Sequence, residues 1–195
     1  MLAHLRAIAV ALLLIGLATR SVPAADLADS TTLAFTNERV RCTFDLRVLS
    51  SLPVDTLQAL VFDYDNLCEF SKEVSVIRKL EAHADRYIVE FTIRYLFNEM
   101  VSTWLRQRHA DGRITIDMLT TRQTLSFLPY VTSMHAGFTF VPRGEFTEIR
   151  FFQRMSLSSP IEWIHFQVVK RKLRGFARDF ERFVRGHEEV VSAAQ

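Results

Sequence analysis

The chain has 195 residues, with 24 basic against 22 acidic side chains and 16 phenylalanines. Near-balanced charge gives no argument for a nucleic-acid partner, and the length is that of one domain with room for a sizeable core. So many phenylalanines imply either a thick core or an apolar cavity.

Residues 1–24 read as a leader. His4 and Arg6 precede an apolar run from Ala7 to Ala18, and Val22-Pro23-Ala24 offers small residues at a cleavage point. The run is about 12 residues, short of the ~20 that span a bilayer. An exported, periplasmic protein is expected. Removing the leader takes away Arg6 and Arg20 and no acid, so 22 bases face 22 acids. In an oxidising compartment Cys42 and Cys68 are candidates for a disulfide, worth about 3 kcal/mol. The alternative is two separate thiols. Their spacing fits no metal or redox motif.

Residues 25–32 form a polar lead-in, expected to be loose. Val40, Cys42, Phe44, Leu46 and Val48 then alternate with polar residues, which predicts a half-buried strand. Pro53 starts a short helix carrying Leu57, Leu60 and Val61. Asp63-Tyr64-Asp65-Asn66 breaks it, and Leu67 to Phe70 makes a second helix or turn. A meander follows, with strands at Val74–Glu81, Arg86–Tyr95, Glu99–His109, Arg113–Thr121, Thr132–Val141 and Phe146–Leu157.

The connections of that meander differ by end, since alternate turns of an antiparallel meander lie at opposite ends. His83-Ala84-Asp85, Asp111-Gly112 and Pro142-Arg143-Gly144 are polar turns. Tyr95-Leu96-Phe97-Asn98 and Phe127-Leu128-Pro129-Tyr130 are apolar tips. Apolar tips are costly in water unless they cover something. They either form a cavity mouth facing a membrane or apolar ligand, with Leu96, Phe97, Leu128 and Tyr130 in contact, or fold inward and plug the core.

From Ser159 to Gly186 the period changes. Ser159-Pro160-Ile161-Glu162 is a capping-box start with proline at the first helical position. Ile161, Ile164, Val168, Leu173, Phe176, Phe180 and Phe183 recur at steps of three and four, giving one helical face of roughly seven turns. Lys170, Arg174, Arg178, Arg182 and Arg185 mark the other face. That stripe meets anionic lipid headgroups or is a solvated face with local pairs such as Glu181 with Arg185. Residues 188–195 are read as a tail.

Strands followed by one long helix imply an α+β fold, a curved antiparallel sheet of about seven strands gripping the C-terminal helix. The domain is placed at residues 33–187. Pro53 to Glu81, with Asp63, Tyr64, Leu67 and Phe70, resembles the opening of the START-like (SRPBCC, helix-grip) superfamily, closest to its polyketide cyclase and coenzyme Q-binding branch. Gly137-Phe138-Thr139-Phe140-Val141-Pro142 resembles that branch's aromatic-x-Phe-x-Pro strand. The resemblance covers Val40 to His187. Thr121 to Tyr130 departs from the branch, lacking its Gly-Pro-Phe-like step.

A sheet that wraps the helix without closing on it leaves a pocket. Phe91, Ile93, Tyr95, Phe138, Phe140, Phe151, Gln153 and Met155 are the candidate wall from the sheet, and Ile164, Val168, Phe176 and Phe180 from the helix. The same residues make a solid core if the space closes. Catalytic signals are thin: there is no Gly-x-Ser-x-Gly, no His-Glu-x-x-His, no phosphate loop and no metal or cofactor motif. His135 and His165 are either an acid or base for a polyketide-like substrate, since histidine titrates near neutral pH, or surface or satisfied core histidines, the commoner role of such a residue. The expectation is a non-catalytic protein that binds a hydrophobic small molecule or lipid, isoprenoid or quinone-like, with peripheral membrane contact and no nucleic acid. The alternatives are an aromatase/cyclase-like enzyme and a filled-core domain acting through protein contacts.

Overall fold

Period-two alternation builds the sheet. In β2 (Arg41–Ser50), Cys42, Phe44, Leu46 and Val48 are buried while Arg41 and Arg47 are exposed, as a pleated strand over a core requires. The computed structural model describes residues 31–38, 40–72, 74–95, 98–125, 130–159 and 163–193. The leader lies outside them, as do Leu96, Phe97, Leu128, residues 160–162 of the helix start, and the side chains of Tyr95, Ile164 and Val168.

Eight strands form one antiparallel sheet: β1 (Thr31–Glu38), β2, β3 (Val76–Ala82), β4 (Arg86–Tyr95), β5 (Asn98–Arg108), β6 (Ile114–Gln123), β7 (Val131–Arg143) and β8 (Phe146–Leu157). Their order across the sheet is β1-β2-β8-β7-β6-β5-β4-β3. Two short helices, α1 (Val54–Phe62) and α2 (Leu67–Phe70), separate β2 from β3, and α3 (Trp163–Ala193) follows β8. Chain order turns back on itself, so β2 and β8 become neighbours, with Leu46 opposite Phe151 and Phe44 opposite Gln153.

Helix α3 packs on the inner face through aromatic rings. Phe180 is fully buried, 5.5 Å from Phe70 and 5.4 Å from Phe138 between ring centroids. Phe176 lies 5.1 Å from Phe151. Ala177, also fully buried, presents only a methyl group between them. Polar turns close one end of the sheet. Gly112 and Gly144 adopt φ of 80° and 64° there, a left-handed conformation that glycine enters without a Cβ clash.

Two features depart from the sequence-based expectation, and one alternative it left open is decided. The sheet has an eighth strand, β1, in place of a loose segment through Thr32. Its Leu33 and Phe35 pack on the core, and the Phe35 ring sits 5.2 Å from Phe44. Helix α3 runs on to Ala193, so the folded unit extends past residues 33–187 at both ends. Glu188, expected in a tail, accepts hydrogen bonds from the Ser50 hydroxyl and the Ser51 backbone N–H, both at 2.7 Å. Finally, no disulfide joins Cys42 and Cys68. Cys42 is buried on the inner face of β2 against Met155 and Leu157, whereas Cys68 is exposed on α2. Burial pushes the Cys42 thiol up.

The basic stripe of α3 divides. Lys170 and Arg174 lie over the Phe35 ring, at 5.6 and 6.0 Å. Arg182 pairs with Asp179 at 3.3 Å and Arg185 with Glu188 at 2.8 Å. Arg178 is exposed.

Candidate functional site, a cavity between sheet and helix

Between the inner face of the sheet and α3 lies a cavity of about 390 Å³. From the sheet, Phe91 and Ile93 of β4, Phe138 of β7, and Phe151, Gln153 and Met155 of β8 border it. Phe176 borders it from α3, with Leu173 and Val169 one and two turns earlier. Two expected wall residues sit elsewhere. Phe180 is in the packed layer beneath the cavity, where α3 comes close to the sheet. Phe140 lies opposite Ile149 on β8, two residues further toward the polar turns, and packs on the core without bordering the cavity. Tyr130, expected at the mouth, is half-buried, and its N–H bonds the Ser158 hydroxyl at 3.2 Å.

Strand β5 supplies the part of the wall that sequence reasoning left unassigned. Met100, Ser102, Trp104 and Arg106 alternate onto the cavity. Val101, Thr103 and Leu105 take the opposite side and are half-buried. Period alone gives both faces of β5 equal standing, and Val101 with Leu105 makes the outer one look the more apolar. The partners of β5 resolve it, since Trp104 stands opposite Val89 and Met118, and Arg106 opposite Tyr87 and Ile116.

Ladder geometry opens one side of the wall. β6 pairs with β7 only between Ile114–Asp117 and His135–Phe138. Beyond Asp117 the two strands are unpaired among the described residues, and Leu119 makes a bulge against β5. Met118, Val131 and Met134 border the cavity along this gap. Polar groups occur where the wall approaches the surface. There Lys72 of the α2–β3 connection lies 4.0 Å from Asp179 of α3.

Deep in the site the chemistry changes. Arg106 is 4% exposed. Its Nη2 donates to the Val61 carbonyl at the end of α1, and its guanidinium stands 5.6 Å over the Phe138 ring. Burial lowers its proton affinity, with Tyr87 acting the other way, but a guanidinium remains protonated in proteins. The Tyr87 hydroxyl donates to the Phe62 carbonyl at 2.7 Å, and burial pushes its pKa up to about 12. Trp104 Nε1 donates to Ser102 Oγ at 2.7 Å. Gln153 Nε2 approaches Met155 Sδ at 3.8 Å, a weak contact that leaves the amide its other donors and acceptors.

Among the described residues, no histidine side chain borders this cavity. His135 pairs with Asp117 at 2.5 Å, both side chains about half exposed, and it faces away from the cavity beside Phe152. His109 bonds Thr115 and His187 the Phe183 carbonyl. The side chain of His165 is outside the description.

No protein-family model matches the chain, and no curated protein is similar to it in sequence. Solved structures are similar in fold. The STAR-related lipid transfer protein of Xanthomonas axonopodis superposes with a TM-score of 0.58 at 16% identity, over 83% of this chain and 97% of that one. The Zhui aromatase/cyclase of a Streptomyces species gives 0.60 at 13% identity, over 76% and 94%. A START superfamily protein of Mycobacterium smegmatis gives 0.58 at 13%, over 74% and 97%. The fold is the START-like helix-grip fold: an antiparallel sheet of eight strands holding a long C-terminal helix, with short helices after the second strand.

Proposed function

We propose that this protein binds a hydrophobic molecule, a lipid, isoprenoid or quinone-like compound, between sheet and α3, and shields or carries it. One observation carries the reading: an apolar cavity of about 390 Å³ in the middle of the domain. Its size falls in the range of roughly 300–1,000 Å³ typical of small-molecule sites. Transfer of apolar surface from water onto such a wall is favourable by about 25 cal/mol per Å² before binding costs. Fold neighbours described as a lipid transfer protein and an aromatase/cyclase support a ligand-binding use of the fold. We read residues 1–24 as directing export to the periplasm, and the tips at 95–98 and 127–130 as the mouth that meets a membrane.

Native mass spectrometry with organic extraction, on protein purified from its own compartment, tests this. A co-purified lipid or isoprenoid near one-to-one stoichiometry is expected. A clean apo mass, together with no uptake from labelled liposomes, would remove the carrier reading.

A second reading is a cyclase-like reaction on a polyketide-like substrate, favoured by Arg106 and Gln153 on the wall. Neither side chain exchanges a proton near neutral pH, so both orient and polarise rather than act as acid or base. Binding is therefore the better-supported role.

A further inference from the structure

Among the described residues, Arg106 is the charged side chain that both borders the cavity and is more than nine-tenths buried. Its surroundings do not neutralise it. The Val61 carbonyl takes one of its five N–H groups, and a carbonyl is neutral. Nε has no hydrogen-bond partner, and no carboxylate pairs with the guanidinium among the described residues. The nearby Tyr87 hydroxyl is engaged by Phe62. A buried, uncompensated charge is among the more destabilising features a fold can hold. A chain that keeps one on the wall of an apolar cavity has a use for it when the cavity is filled.

Position gives that use a direction. Arg106 lies near the polar-turn end of β5, against the end of α1. Trp104, Ser102 and Met100 continue the same face toward the other end, over roughly 20 Å at about 3.3 Å per residue. Resting on the ligand-binding reading above, we propose that the cavity takes a single-chain amphiphile with a carboxylate head, bound head-inward. The carboxylate pairs with Arg106, and the chain lies along the Trp104, Phe91 and Ile93 wall. One guanidinium is balanced by one negative charge. A phosphate monoester, at close to two, leaves an excess in an apolar site.

The test uses the full mature chain and four probes: dodecanoate, dodecanol, methyl dodecanoate and dodecyl phosphate, each titrated by calorimetry at neutral pH. Dodecanoate should bind at least tenfold more tightly than dodecanol or the methyl ester, and more tightly than dodecyl phosphate. In Arg106→Gln and Arg106→Met the ratio of dodecanoate to dodecanol affinity, read within each variant, should fall to near one. The neutral probes within the wild type keep the test valid even if a variant does not fold. Equal wild-type affinity for acid and alcohol, or a preference surviving in both variants, would overturn the assignment of the head. Tighter binding of dodecyl phosphate would overturn the carboxylate. Failure of every probe to bind would remove the cavity reading as well.

Discussion

Ser50 Oγ donates to Glu188 Oε1 at 2.7 Å, joining the end of β2 to the last turns of α3 across 138 positions of sequence. Ser50 is fully buried, and its oxygen also accepts the Leu52 N–H at 3.1 Å. Ser51 N–H and Arg185 complete the coordination of the carboxylate. Desolvation raises the pKa of Glu188, but Ser50, Arg185 and Ser51 together outweigh it and hold the group below its ordinary value. Glu188→Ala removes an acceptor from three donors, of which the Ser50 hydroxyl belongs to a fully buried residue, and should cost about 1–3 kcal/mol. Urea denaturation of the single variants, Ser50→Ala and the pair gives the coupling. A coupling near zero would mean that the contact does not stabilise the fold.

Acid should loosen the outer face of the sheet at Glu148. This carboxylate accepts from Arg150 Nη2 at 2.8 Å and Arg143 Nε at 3.0 Å, with Arg47 Nε at 3.9 Å. The hydrogen bond from Arg150 is the largest influence holding its pKa at about 2, against an ordinary 4.5. A folded-state pKa below the unfolded one gives stability that is fully present above about 4.5 and lost as pH falls toward 2. The arginines are substantially exposed, so screening limits the effect to the order of 1–2 kcal/mol. The stability difference between wild type and Glu148→Gln should therefore shrink from pH 6 to pH 3, and shrink further in high salt. A difference independent of pH would rule out this linkage.

Gly137 should not tolerate a side chain. A Cβ placed there would lie 2.7 Å from the Ile114 carbonyl oxygen and 2.9 Å from the Phe152 ring. The ring can rotate, but the carbonyl is held in the short β6–β7 ladder, where Ile114 pairs with Phe138 and Thr115 with Gly137. Gly137→Ala should cost about 1–3 kcal/mol through overpacking. Thermal or urea unfolding measures it, and an unchanged midpoint would show that the ladder yields freely.

Strands β4 and β8 were legible to the residue, because each alternates without interruption between turn residues. β1 was not. Glu38 pairs with Arg41, and the sequence between them is Arg-Val rather than the Asn-Gly or Asp-Gly that marks a two-residue hairpin. The last two turns or so of α3, past Gly186, were missed for a related reason. Past Gly186 the apolar face gives way to charge, and the contact of Glu188 with Ser50 is invisible to periodicity. The cavity wall divides in the same way. Phe138 and Phe140, or Phe176 and Phe180, share a period and a residue type. How near α3 comes to the sheet decides which of each pair borders open space. Arg106 was hidden by its charge, since an arginine in an alternating strand reads as the solvent side.

Filling the cavity should block uptake without unfolding the protein. Ala136 borders it from β7, opposite Gln153 and beside the gap where β6 and β7 separate. Ala136→Leu adds three carbons, a fraction of the roughly 390 Å³ available, so overpacking should cost no more than about 1–2 kcal/mol. Apolar probe affinity should fall at least fivefold. Trp104 supplies a direct reading, because its ring is 6% exposed and borders the same space. In a Trp163→Phe background, Trp104 is the sole tryptophan of the chain. Its emission should shift on titration with dodecanol, and shift little once Ala136→Leu is added. Full probe affinity and an unchanged emission response in that variant would mean that the ligand enters elsewhere, and would separate the cavity from the binding site.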